Sequence, residues 1–192
     1  MTNHTHSSAP VPVGDVVPGD PPVPITVWAV PAPRQGETMS NGMGVRLVHN
    51  LTHPTHLVID LTDGPQLARA IIAASRRSHL QAARLVGWGK EAAALIVTGW
   101  PLDAGAGTPA EFFTRCRANL LPGGCVAVLL AHGDPVLPVD VVIAAKQAGM
   151  AYLQHIVAAD QPPQRGQATS LDIHTDVLIM TRSATDSAGA DG

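Results

Sequence analysis

Aromatic side chains are scarce in this chain of 192 residues: three Trp, two Phe and one Tyr make up 3% of it. A core cannot rest on rings here and has to be assembled from Val, Leu, Ile and Ala. Cysteine is scarcer still. Cys116 and Cys125 are the only two, too few for a disulfide framework and lacking metal-ligand spacing. Cys125 sits in an apolar run and reads as a small buried hydrophobe. Charged residues amount to 14% and nearly cancel, leaving a net charge of -3 and a pI of about 6.3. The basic stripe of a strong nucleic-acid binder is therefore missing. The nearest approach to one is Arg69, Arg76, Arg77, Arg84 and Lys90, which reads as a solvated helix face. No apolar run is long enough to span a bilayer. The start of the sequence lacks the charged and apolar regions of a secretory signal. The expectation is a soluble, cytoplasmic protein with no membrane partner.

Prolines 10, 12, 18, 21, 22 and 24 exclude a regular ladder or helix at the start. Residues 1–24 are expected to be a disordered Pro/His-rich tail, 184–192 a second disordered tail, and 25–183 one α/β domain. Inside that domain short apolar runs alternate with helical patterns. Strands are predicted at 25–30, 57–61, 83–88, 93–98, 125–131, 152–158 and 176–181. Helices are predicted at 66–78, from 109 to about 120, and at 138–148. The middle one begins with Thr108-Pro109-Ala110-Glu111, a capping box with Pro in the first turn. Such alternation implies a mostly parallel sheet with helices on both faces. Ligands of such sheets bind at the carboxyl ends of the strands, near a switch in strand order.

The stretch from Phe112 through Leu120-Leu121-Pro122-Gly123-Gly124 into the apolar run Cys125–Leu130 resembles the helix-to-strand junction in the middle of class I S-adenosylmethionine-dependent methyltransferases. The glycines allow a sharp turn where side chains would clash. Leu57-Val58-Ile59-Asp60-Leu61-Thr62-Asp63-Gly64 resembles the first motif of that family, where a Gly-rich turn cradles the methionine part of the cofactor. Thr98-Gly99-Trp100-Pro101-Leu102 stands in the place of the fourth motif. In methylases of exocyclic amino groups on DNA bases this motif is Asp/Asn/Ser-Pro-Pro-aromatic. His174–Arg182 resembles the last strand of these enzymes, and Ile25–Ala29 the entry segment of actinobacterial DNA methylase-like proteins. The resemblance implies a Rossmann-like methyltransferase fold over about residues 25–183. It also implies S-adenosyl-L-methionine as cofactor, with Asp60, Thr62, Asp63, Gly64, Gly87 and Glu91 as its binding residues, and Thr98, Trp100, Pro101 and Asp103 facing the substrate.

The motifs are degenerate. Pro65 and Gln66 stand where the first motif has small residues. Gln66 brings a side chain toward the cofactor's space, and Pro65 removes a backbone donor. No acid follows the strand predicted at 83–88 until Glu91, and one strand–helix unit is missing before Ala93. Thr98-Gly99-Trp100-Pro101 carries neither carboxylate nor carboxamide, with Asp103 the nearest substitute. Trp100 either stacks on a base, as in a flipped-base pocket, or packs over the end of the sheet. The expected function is a degenerate, non-catalytic DNA-methyltransferase-like protein. It would act as a binding or regulatory module, with DNA or a protein as partner. The alternative is an active methyltransferase on a nucleobase or another amino-bearing substrate. His49, His53 and His56 read as turn histidines rather than metal ligands, because Pro54 breaks their helix. His132 with Asp134 reads either as a general base at the functional edge or as a turn pair.

Overall fold

The computed structural model describes residues 24–80, 88–89, 91–103, 105–134, 136–160 and 172–184. Both expected tails, apart from Pro24 and Ala184, and the predicted strand at 83–88, apart from Trp88, lie outside the described residues. The described elements run β1 (Ile25–Ala29), α1 (Asn41–Leu51), β2 (Leu57–Leu61), α2 (Gln66–Ala73), β3 (Arg77–Leu80), β4 (Ala93–Gly99), α3 (Pro109–Asn119), β5 (Leu120–Ala131), α4 (Leu137–Gln147), β6 (Ala151–Ala159) and β7 (Ile173–Thr181). The strands form one sheet in the order β1-β6-β7-β5-β4-β2-β3. Every neighbouring pair is parallel except those made by β7, which runs antiparallel between β5 and β6. This is the α/β, Rossmann-like architecture expected from the sequence.

Both faces of the sheet are covered, so the central strands read as continuous apolar runs. On one face α1 and α2 set Met43, Leu47, Leu67 and Ile71 on Val58, Leu95, Val97 and Ala127. On the other, α3 and α4 set Phe112, Phe113, Val141 and Ala145 on Ile96, Val126, Val128 and Leu178. The few rings are concentrated on that second face. Trp88, Phe112 and Phe113 form an edge-to-face chain there.

The capping box at the start of α3 is present as read: Thr108 Oγ1 accepts from Glu111 N, and Glu111 accepts from Thr108 N. The Gly123-Gly124 turn is also as read. Gly123 has φ +76, and a Cβ on Gly124 would come within 2.9 Å of the Leu121 carbonyl and 3.1 Å of the Ala93 carbonyl. Arg182, the basic residue after β7, donates to the carbonyls of Leu120 and Arg117 and ties the last strand to the end of α3.

Three local readings change. Helix α1 has no counterpart in the sequence reading, since Gly42 and Gly44 blur its pattern; Ser40 caps it by accepting from Met43 N. Helix α2 ends at Ala73 rather than near Ser78, because Ser75 takes φ 54 and turns the chain directly into β3. Strand β5 begins at Leu120, so the glycine turn lies inside its irregular first half.

Phe112 is fully buried and touches both other rings of its cluster. Phe112→Ala is expected to cost about 3–5 kcal/mol in a urea melt. Ile72→Ser, on a side chain 74% exposed, is expected to stay within about 0.5 kcal/mol.

Candidate functional site

The sheet order reverses between β2 and β4: the chain leaves β2 toward β3 on one side and returns through β4 on the other. A cleft of about 350 Å³ opens there, beyond the carboxyl ends of β2, β4 and β5, where α/β sheets bind ligands. Its floor and walls are Leu61, Thr98, Trp100, Leu102, Leu129 and Leu130. Its ionisable rim holds Glu37, Asp63, Asp103 and His174, with no Lys or Arg among the described lining residues. The segment before α1 closes one side through Pro33, Glu37 and Thr38.

All four residues expected to face a substrate line this cleft: Thr98, Trp100, Pro101 and Asp103. Thr98 is 1% exposed, and its hydroxyl donates to the Gly99 carbonyl at 3.0 Å. Trp100 combines both readings given for it. One side stacks on Phe113 with centroids 6.2 Å apart, and the half-buried ring still borders the cleft. Asp103 is exposed on the rim.

Four of the residues expected to hold the cofactor, Asp60, Thr62, Asp63 and Gly64, share the end of β2 and the turn after it, away from Glu91. Asp63 lines the cleft, but Asp60, Thr62, Gly64 and Glu91 do not, and Gly87 lies outside the described residues. Asp60 is fully buried, and its Oδ1 accepts from the Thr62 amide at 3.0 Å and the Thr62 hydroxyl at 2.7 Å. Burial pushes its carboxyl above the ordinary range, and those two bonds only partly oppose the shift. Glu91 precedes β4 and pairs with Arg77 at the start of β3. That is the opposite end of the sheet from the cleft, so Glu91 cannot serve as the ribose partner.

The turn after β2 shows whether S-adenosylmethionine fits. A Gly-rich cradle works by pointing free backbone N–H groups at the ligand. Here the Thr62 amide donates to Asp60, the Asp63 amide donates to Thr38 Oγ1 at 2.8 Å, and Pro65 has no N–H. Thr38 N donates back to the Asp63 carbonyl at 3.1 Å, clamping the turn to the segment before α1. Gly64 has φ +91, and the space a Cβ would need there is taken by the Gln66 side-chain amide. Gln66 is buried, with Oε1 unpartnered. Thr62 and Asp63 thus use their amides within the protein, and the Gln66 side chain lies over Gly64.

Sequence reasoning missed a second group. Asp176, on β7 directly before its apolar stretch Val177–Met180, is 5% exposed. Its Oδ2 accepts from His132 Nδ1 at 2.7 Å and its Oδ1 from His155 Nε2 at 2.8 Å. Burial pushes its carboxyl up, but the hydrogen bonds from His155 and His132 outweigh that and hold it below the ordinary range. The pairing of His132 with Asp134 is thereby corrected. Asp134 Oδ1 instead accepts from Val136 N and Leu137 N and opens α4. The one available signal was an acid at the head of the apolar run of the last strand. No group able to hold a metal ion occurs among the described residues, and no described helix is long and apolar enough to cross a membrane.

No family model matches the chain, and no curated protein matches it. Solved structures similar to it in fold include a methyltransferase from Pyrococcus furiosus at 12% identity, covering 80% of this chain and 88% of that one with a TM-score of 0.48. A TehB-like SAM-dependent methyltransferase from Corynebacterium glutamicum is similar at 12% identity, over 73% of this chain and 87% of that one, TM-score 0.45. TrmN from Thermus thermophilus is similar at 16% identity over 76% of this chain, TM-score 0.45, and the chain spans 49% of its length.

The two buried aspartates have opposite pH signatures. Asp176, depressed when folded, contributes stability that is present above about pH 4 and is lost as pH falls through its folded value. Asp60, raised when folded, costs stability as pH rises from about 4 through its folded value. At pH 7 Asp176→Asn is expected to lose on the order of 2 kcal/mol. Asp60→Asn is expected to be as stable as the parent or more so. Chemical melts of both variants between pH 3 and 7 check the two signs.

Proposed function

We propose that this protein is a degenerate methyltransferase-like binding module whose cofactor turn is closed and whose substrate-side cleft is kept. The observation that carries this reading is the turn after β2: its Thr62 and Asp63 amides are used internally, Pro65 offers none, and the Gln66 amide lies against Gly64. The cleft itself remains open and falls within the size range of small-molecule sites.

Its lining names the ligand class. Trp100 offers a flat apolar surface, while Glu37, Asp63 and Asp103 accept hydrogen bonds or balance a positive charge. An amino-bearing ring of nucleobase type, stacked on Trp100, satisfies both. The resemblance of its motif order to that of methylases of exocyclic amino groups supports the same class. A phosphate backbone finds no cation among the described lining residues. The basic cluster read from the sequence is also broken up: Arg76 folds back onto Thr52 and Ala74, and Arg77 pairs with Glu91. A DNA or protein partner would therefore present a single base or an amine to the cleft rather than a duplex.

The second reading is an active S-adenosylmethionine-dependent methyltransferase. The position of the cleft at the reversal of strand order favours it.

Calorimetric titration separates the two. S-adenosylmethionine is expected to give no saturable binding up to about 1 mM, a limit of about -4 kcal/mol. Adenosine or cytidine is expected to bind saturably, with Trp100→Ala weakening it about tenfold, as loss of one base–aromatic stack does. Micromolar binding of S-adenosylmethionine would overturn the proposal in favour of the active enzyme.

A further inference from the structure

We propose that His132, oriented by the buried Asp176, is a general base at the mouth of the cleft. It would take a proton from the ligand seated there. This rests on the reading of the cleft as a ligand site and adds a chemistry to it.

The geometry is that of an oriented imidazole. A carboxylate can only accept, so His132 Nδ1 carries the proton in its 2.7 Å bond to Asp176. Nε2 is then the basic nitrogen. The His132 side chain is 40% exposed whereas the Asp176 side chain is 7% exposed, so the acceptor is held inside and the base faces outward. Asp176 cannot rotate away, because its other oxygen is fixed by His155 Nε2–H. A nucleophile or base backed by a third, orienting group is the arrangement that proton transfer requires.

Position supplies the second argument. His132 opens the turn directly after Ala131, the last residue of β5, and both Leu130 and Ala131 line the cleft. The His132 amide is fixed by the His174 carbonyl at 3.1 Å, and His174 lines the cleft from β7. Purely structural pairing would explain the buried His155–Asp176 contact, but it does not require a second histidine on the solvent side.

The titratable groups around the pair are accounted for. From β6 they are His155 and Tyr152. From β7 there is His174, whose Nε2–H donates to the Val30 carbonyl and whose Nδ1 accepts from the Thr175 hydroxyl. Asp160 lies 4.0 Å from His174. Asp134, in the turn after β5, is engaged by the start of α4. None of these is hydrogen-bonded to His132 Nε2.

In the proposed step an N–H bond forms at His132 Nε2, the X–H bond of the ligand breaks, and its electron pair stays on X. The imidazolium is balanced by Asp176, which keeps its own charge. No oxidant, reductant or cofactor enters.

The test uses the full chain and nitrobenzisoxazole, a flat ring whose only demand is a base. Loss of its ring C–H proton sends the electrons into a nitrile as the N–O bond opens to a phenolate. The expected result is saturable elimination about 10²-fold faster than equimolar free imidazole, following a single ionisation. His132→Gln is expected to remove it. Asp176→Asn is expected to lower it and move the ionisation. A rate no better than imidazole, or one unchanged in His132→Gln, overturns the proposal. Nitrogen-edited imidazole spectra of the parent protein give an independent answer: His132 protonated on Nδ1 supports the base, and protonated on Nε2 overturns it. A His132-dependent rate that rises linearly with probe supports the base and counts instead against the cleft as a binding site.

Discussion

A backbone turn can hold an anionic or polar ligand only while its N–H groups are free to point at it. That constraint organises this molecule. The sheet, its reversal of strand order and the two helical layers place a turn at the end of β2, where a nucleotide-like cofactor would lie in the family this sequence resembles. Yet the turn is knitted to its own surroundings. Asp60 takes the Thr62 amide, Thr38 takes the Asp63 amide and returns a bond to its carbonyl, and the Gln66 amide fills the face of Gly64. Each of these bonds contributes to the fold, and together they leave the turn little to offer a ligand.

The neighbouring cleft is the counterpart of that closure. It is built from the ends of β4 and β5 and from the segment before α1. The same Thr38 that clamps the turn also lines the cleft wall. Closing the one site therefore helps to shape the other. Among the described lining residues, acids without Lys or Arg, one flat ring and a floor of leucines suit a compact amino-bearing ligand. The Asp176 network ties the turn after β5 to β6 and β7 through one carboxylate, next in sequence to the cleft-lining Ala131 and Thr175.

Much of the fold was legible because its signals are local. The capping box at Thr108, the glycine turn at Gly123 and the apolar runs of β2, β4 and β5 each follow from a few adjacent residues. Helix α1 was not legible, since two glycines interrupt its pattern and its Ser40 cap carries no acid in the first turn. Strand β3 was not legible, and its start was read as the end of α2, because polar Arg77-Ser78-His79 forms an edge strand held by pairing with β2 rather than by its own apolarity. The group Thr98–Asp103, which lines the cleft, could be picked out because it is contiguous. Glu91 was wrongly drawn toward the cofactor, since nothing in the sequence shows that Arg77 claims it at the far end of the sheet. The Asp176 pairs join residues 44 and 21 positions apart. Only the antiparallel insertion of β7 between β5 and β6 brings them together.

The closed turn is most directly tested by a crystal structure of the full chain grown with millimolar S-adenosylmethionine. The account predicts that Gln66 stays packed against Gly64, that Thr38 keeps its two bonds to Asp63, and that no cofactor density lies on the turn. A cofactor seated there, with the Gln66 side chain swung out and the Asp63 amide released from Thr38, would contradict it.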